Sequence, residues 1–388
     1  MSIFTSRPVL RWAVPAAAAV AVVGAGVAAK TLAVAAEPNL PPRTAAQLLV
    51  DLQTAKLDGL SGTVVERADL GLPDLGALGN LVGRDGSSNL TSLVSGKHTL
   101  RVWYSGPDKA RVALVGTNGE SDVIRNGKDL WLWDSKANTA THHVLSTEDA
   151  KTELPNKAGD ITSLPKTPQE AADLALKAID PTTVVTTGNT AKIAGRNAYE
   201  LVLSPRDTSS LVSQVRLAID ATEHLPLRVQ ILAKGSGQPA FEVGFTQVSF
   251  ARPDNAQFQF TPPSGAKVTE PSDTPKGKAD GKTDGRAPKD LPKDTPSNDK
   301  TTVIGKGWTS VFVSRVGDGS QPSAGKTNDP QANAAEGFLN SLPRSGNGRV
   351  LTSKLFTVML TDDGRLLVGA VSPERLAQVA ADPAAQLK

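Results

Sequence analysis

Four histidines, His98, His142, His143 and His224, are the first candidates for chemistry in this 388-residue chain. An imidazole titrates near neutral pH and ligates metals, so histidines at a motif spacing would indicate a general base or a metal centre. The spacing fits neither. His142 and His143 are neighbours in a strand-like run, THHVL, which sends their side chains to opposite faces. His224 precedes a Leu-Pro turn, and Glu200 and Asp220 stand at strand edges without a partner carboxylate at a motif spacing. The chain contains no G-x-S-x-G elbow, no phosphate-binding G-x-x-x-x-G-K-[ST] and no H-E-x-x-H. Asp362-Asp363-Gly364 lies between alternating runs and reads as a turn, not a cation site. The expectation is a protein with no catalytic set, no metal and no cofactor.

The apolar residues carry more information. Leu130-Trp131-Leu132-Trp133 offers two large groups to each face of a strand. It reads either as a central strand covered on both sides or as a strand with one pair lining a ligand pocket. In AFEVGFTQVSF (240–250), Phe241, Val243 and Phe245 fall on one phase, while Val248 and Phe250 fall on the other. A β-bulge near Thr246-Gln247 would return all five to a common face and bend the strand, with Gly244 beside it.

These residues need a scaffold, and the patterning describes one. Residues 43–56 (RTAAQLLVDLQTAK) form an amphipathic helix with Thr44 as N-cap. Thr167-Pro168-Gln169-Glu170 opens a second helix as a capping box with proline at the first helical position. About eleven short strands, separated by signals such as Gly106-Pro107-Asp108 and Asn126-Gly127, indicate one large antiparallel sheet. QFQFTPP (257–263) reads as the last of them. Val215, Leu217 and Ile219 alternate with Arg216 and Ala218, and Leu227, Val229 and Ile231 with Arg228 and Gln230, so one face is apolar and the other wet. Residues 70–96, rich in Gly, Ser and Leu, read as a mobile loop that could gate the sheet.

The ends of the chain differ from its middle. Arg7 and Arg11 precede an apolar run, Trp12–Ala29, followed by small residues at Ala33 and Ala35. That pattern is an export signal, either cleaved or kept as an anchor, with everything after it outside the cytoplasm. Arg7, Arg11 and Lys30 account for the whole net charge of +3, so the remainder is balanced and nucleic acid is an unsuitable partner. Without cysteine, neither a disulfide nor a lipid-modified cysteine is available. The division expected is a signal peptide or anchor over 1–36, a main domain over 37–269, a Pro/Lys/Asp-rich disordered linker over 270–302, and a small C-terminal α/β unit over 303–388.

The runs GRNAYELVLSP, VRLAIDATEHLPLRVQI and FEVGFTQVSFARPDNAQFQFTPPSGAKV (195–268) resemble the lipoprotein-carrier superfamily that includes LolA, LolB and RseB. The shared features are Asp220 followed by the Leu225-Pro226 turn, and the Phe-x-Phe-x-Pro-Pro-x-Gly ending over Phe258–Gly265. The resemblance covers about 41–269 and implies an α+β fold: a strongly curved antiparallel half-barrel with lid helices over an apolar cavity. It implies binding of a lipid or a lipidated protein, or envelope-stress regulation through a membrane-anchored anti-sigma factor. The cavity lining expected is Leu100, Val102 and Tyr104; Val112 and Leu114; Trp131 and Trp133; Tyr199, Leu201 and Leu203; Val215, Leu217 and Ile219; Leu227, Val229 and Ile231; and Phe241, Val243 and Phe245.

Overall fold

The computed structural model describes residues 38–72, 96–116, 119–145, 181–270, 301–315 and 337–385. The export segment, the gate loop beyond Leu72, the helix opened by Thr167-Pro168 and the linker over 271–300 lie outside those residues. The first helix is α1 (Ala45–Thr54); Thr44 caps it, accepting from the Gln47 N–H while the Gln47 side chain accepts from the Thr44 N–H.

The larger sheet contains β1 (Leu60–Ala68), β2 (Gly96–Tyr104), β3 (Lys109–Gly116), β4 (Gly119–Asn126), β5 (Asp129–Asp134), β6 (Thr139–Val144) and β7 (Thr183–Thr187). It continues through β8 (Ala191–Ile193), β9 (Arg196–Pro205), β10 (Val212–Asp220), β11 (Pro226–Ala233), β12 (Pro239–Ser249) and β13 (Lys267–Thr269). The order is β13-β6-β5-β4-β3-β2-β1-β12-β11-β10-β9-β7, with β8 also on β9. The sheet is mostly β, curved and open: β13 and β7 are its two ends. Every pairing is antiparallel except β13 with β6, which is parallel.

Two expectations change. Among the described residues the sheet has thirteen strands rather than about eleven, because β8 and β13 are three-residue pieces too short to show an alternating pattern. QFQFTPP is not a strand. Asn255–Phe258 is a 3-10 turn capped by Asp254, and the chain then runs extended to β13. The bulge is where the alternation breaks: Thr63 pairs with Gln247 and Val64 with Phe245, so Thr246 is the extra residue. Phe241, Val243, Phe245 and Val248 are thereby brought to one face.

The C-terminal unit is a six-stranded antiparallel sheet, β14 (Thr301–Ile304), β15 (Val311–Arg315), β16 (Arg344–Ser345), β17 (Gly348–Thr352), β18 (Thr357–Thr361) and β19 (Arg365–Gly369), ordered β14-β15-β19-β18-β17-β16. Thr301 and Thr302, expected in the linker, already pair in β14. Helix α2 (Pro373–Ala381), capped by Ser372 with Pro373 in its first turn, covers one face. Asp362-Asp363-Gly364 is the β18–β19 turn, and Gly364 takes φ 79°, where a side chain would be strained.

Candidate binding face

Residues that pair directly across an antiparallel sheet share a face, so the registers trace a surface. Val185, Leu203, Val215, Ile231 and Phe241 form one row. Leu201, Leu217, Val229 and Val243 form the next. On the far side, Val64, Leu100 and Leu114 align, as do Gly62, Val102, Val112, Val123 and Leu132. The aligned rows run from β7 to β5 on one side of the sheet. Seventeen of the expected lining residues belong to this face or, for Leu227, sit in the irregular β10–β11 pairing at its edge. Gly62 is part of the design: a Cβ there would meet the Phe245 ring at 2.9 Å and the Gln247 carbonyl at 2.5 Å.

Trp131 and Trp133 do not belong to it. Trp131 pairs with Ile124, which pairs with Arg111, and Trp133 pairs with Asp122, all on the opposite side. Leu130 and Leu132 hold the apolar face instead. The tryptophans are covered by the segment after β12: Phe260 lies 5.4 Å from Trp131 and 5.7 Å from Trp133, centroid to centroid, and His142 stacks on Trp131 at 4.2 Å. His142 Nε2 is 2.8 Å from the Asp129 carboxylate. Phe258, 1% exposed, packs over β3 and β4. The tryptophan side of this strand is covered by the strap, so Trp131 and Trp133 do not line the apolar face, while Leu132 on the other side stays 41% exposed.

Under that strap lies a charged group. Arg111 Nη2 reaches the Asp122 and Glu120 carboxylates, and the guanidinium sits 5.3 Å over Trp103. Burial pushes the Asp122 carboxyl up to about 7, Glu120 adds to this, and Arg111 opposes both. Asp220, by contrast, is held low by Arg196 and by the Thr222 and Glu223 N–H groups despite its burial. Among the described residues no three His, Cys, Asp or Glu side chains converge on a metal position.

Much of the apolar face is covered by the protein itself. Leu48 and Leu49 of α1 pack on Tyr199, Leu201 and Ile219. Burying each leucine contributes about 1.5–3 kcal/mol. The C-terminal unit covers another part: Leu355, Phe356, Trp308 and Ala370 join Ala68, Val212, Val215, Ile231 and Phe241 in one cluster. Trp308 Nε1 donates to Thr183, and the Lys354 and Leu211 N–H groups donate to the Leu70 and Ala370 carbonyls. Burial then falls along the rows towards β5. Leu100 is 3% exposed and Leu114 7%, but Val123 is 37% and Leu132 41%. A cavity of about 660 Å³ lies away from this face, between Ser105–Lys109 and Arg252–Asn255, and is mostly polar.

One charged pair interrupts the apolar face. Glu66 stands opposite His98 and Val243, and its Oε2 is 2.7 Å from His98 Nδ1. The alternation of β1 conceals it, since Glu66 follows Val65 like any solvent-side charge; only the register shows which way it points.

The family model described as "Predicted periplasmic protein (DUF2092)" matches residues 84–270, a little under half the chain. No curated protein matches the sequence. Among solved structures, a chain of the Pseudomonas aeruginosa MucA/MucB complex is 17% identical, with 86% of this chain and 96% of that chain covered and a TM-score of 0.41. An uncharacterized conserved protein from Thermus thermophilus is 12% identical, with 58% and 97% covered and a TM-score of 0.32. A LolA superfamily protein from Nitrosomonas europaea is 12% identical, with 56% and 99% covered and a TM-score of 0.21.

Proposed function

For a chain similar to the lipoprotein-carrier superfamily of LolA, LolB and RseB, we propose an exported, non-catalytic protein that binds the acyl moiety of a lipid or lipidated protein on the apolar face of its larger sheet. The observation that carries this reading is the continuous apolar face that stays uncovered at Val123 and Leu132. Acyl chains fit such a surface because each buried CH₂ contributes about 0.8 kcal/mol without any directional contact. The occupied site would be the β2–β5 part of the face, Leu100, Val102, Tyr104, Val112 and Leu114 with Val123 and Leu132. The other apolar rows form the packed floor and its contacts with α1 and the C-terminal unit. Compartment follows from the basic-then-apolar N-terminus, and the matched family is itself described as periplasmic. Among the described residues no helix is long and apolar enough to cross a membrane.

The test is native mass spectrometry of the full chain purified gently from its own envelope. Adducts of lipid mass are the expected result; recovery of the bare chain alone under conditions that preserve known lipid complexes overturns the reading.

A second reading, a regulatory protein of RseB type that contacts a membrane-anchored partner, has its own support in the C-terminal unit. Val303, Phe312, Val368, Val358 and Leu351 align across five strands on the face away from α2, with Phe312 44% exposed. An apolar sheet face of this kind is suited to a protein partner. Loss of partner capture in Phe312→Ser, with lipid adducts retained, would assign the two activities to the two units.

A further inference from the structure

Glu66 stands where the apolar face should carry no charge. It follows Val64 and precedes Ala68 on the same side of β1, and it is 3% exposed. Across the strands it faces His98 and Val243, next to Leu100 and Phe241. Its Oε2 is satisfied by His98, but Oε1 is buried with no hydrogen-bond partner. An unmet carboxylate oxygen in such surroundings is costly, and burial raises the carboxyl against a smaller opposing pull from His98. A purely structural ion pair explains His98 and Oε2. It does not explain an orphaned acceptor on the apolar side of the sheet. Binding sites for apolar ligands typically hold one or two polar groups of this kind, which fix orientation and confer selectivity.

We propose that Glu66, held by His98, is the polar anchor of the binding face and accepts a hydrogen bond from the primary ammonium headgroup of a bound lipid. The acyl chain then runs from Glu66 across Leu100 and Leu114 towards Val123 and Leu132. Headgroup choice follows from donors: a primary ammonium offers N–H groups to Oε1, whereas a trimethylated one carries the same charge and offers none. This inference rests on the lipid-binding reading above, and its test separates the two.

The full chain is titrated with lysophosphatidylethanolamine and lysophosphatidylcholine of identical acyl chain, both as monomers. The expected result is tighter binding of the ethanolamine lipid by about tenfold or more, as for a hydrogen bond to a charged group, and a ratio near one in Glu66→Leu. Equal affinities in the wild-type chain overturn the anchor and leave lipid binding standing. Binding of neither lipid overturns the lipid reading itself, and the anchor falls with it. Should Glu66→Leu fail to fold, the wild-type ratio alone decides, and Glu66→Gln, which keeps an acceptor but no charge, is expected to fall between the two.

Discussion

The two sheets of this protein solve the same problem differently. The C-terminal sheet closes one face completely: Val311, Val313, Met359 and Leu367 are fully buried under Leu376, Val379 and Ala380 of α2. Even its buried arginine is satisfied, since Arg365 donates to the Ala385 and Ala380 carbonyls and to Asp363. The larger sheet has a wider apolar face than the described residues cover. Among the described residues, one short helix and the tip of the C-terminal unit cover part of it, and Val123 and Leu132 are the exposed members of its rows. Each sheet thus leaves part of one apolar face uncovered, the C-terminal one at Val303 and Phe312 and the larger one at Val123 and Leu132.

The sharpest way to test that contrast is to damage the closed core. Leu367→Ala removes a fully buried side chain from the C-terminal cluster and should cost about 2–5 kcal/mol in chemical denaturation, with lipid capture by the larger sheet kept. If lipid capture is lost while the larger sheet stays folded, the two sheets are not separate in function. Next in size is Gly62→Ala. The new methyl would press on the Phe245 ring and the Gln247 carbonyl beside the bulge, for an expected loss of about 1–3 kcal/mol. An unchanged stability would mean that the bulge gives way and does not fix the face.

How much of this was legible depended on whether the signal was local. The bulge near Thr246 could be read because a phase slip between Phe245 and Val248 is visible in eleven residues. Thr44 and Gly364 could be read because caps and turns depend on neighbours in sequence. Which face a strand presents is not local. Trp131 and Leu132 are both apolar, and only pairing through β4 back to β1 decides that the leucine shares a face with Val102. Phe258 and Phe260 alternate like a strand, yet proline at 262 and 263 and the 3-10 turn make them a strap over the outer face. The docking of Trp308 and Phe356 on the larger sheet joins residues more than a hundred positions apart, and no pattern announces it.

A smaller effect, of defined sign, distinguishes the outer face from the apolar one. Asp122 titrates near 7 when folded, above its ordinary value, so its stabilising contribution is complete at low pH and is lost as pH rises towards and through 7. Asparagine does not titrate. The melting temperature of Asp122→Asn relative to wild type should therefore rise between about pH 5 and pH 7 and level off above that range. A fall over the same range would show that the Arg111 contact outweighs burial.

The smallest expected change in stability is the most informative about function. Leu132→Ser alters a side chain that is 41% exposed and should move the unfolding free energy by no more than about 0.5 kcal/mol, as surface substitutions do. If β5 is merely the unfinished margin of a structural sheet, nothing else changes. If it is the open end of a binding face, a hydroxyl placed among acyl chains removes apolar contact and must be desolvated, and lipid adducts should be depleted severalfold while the fold is intact. Val123→Ser, the next residue in the same row, should act in the same direction, and the double variant should add to it. Trp131→Ser on the same strand but the opposite face should do the reverse: lose stability through the strap and keep its lipid. Stability and binding would then divide between the two sides of a single strand, which no uniformly structural sheet would produce.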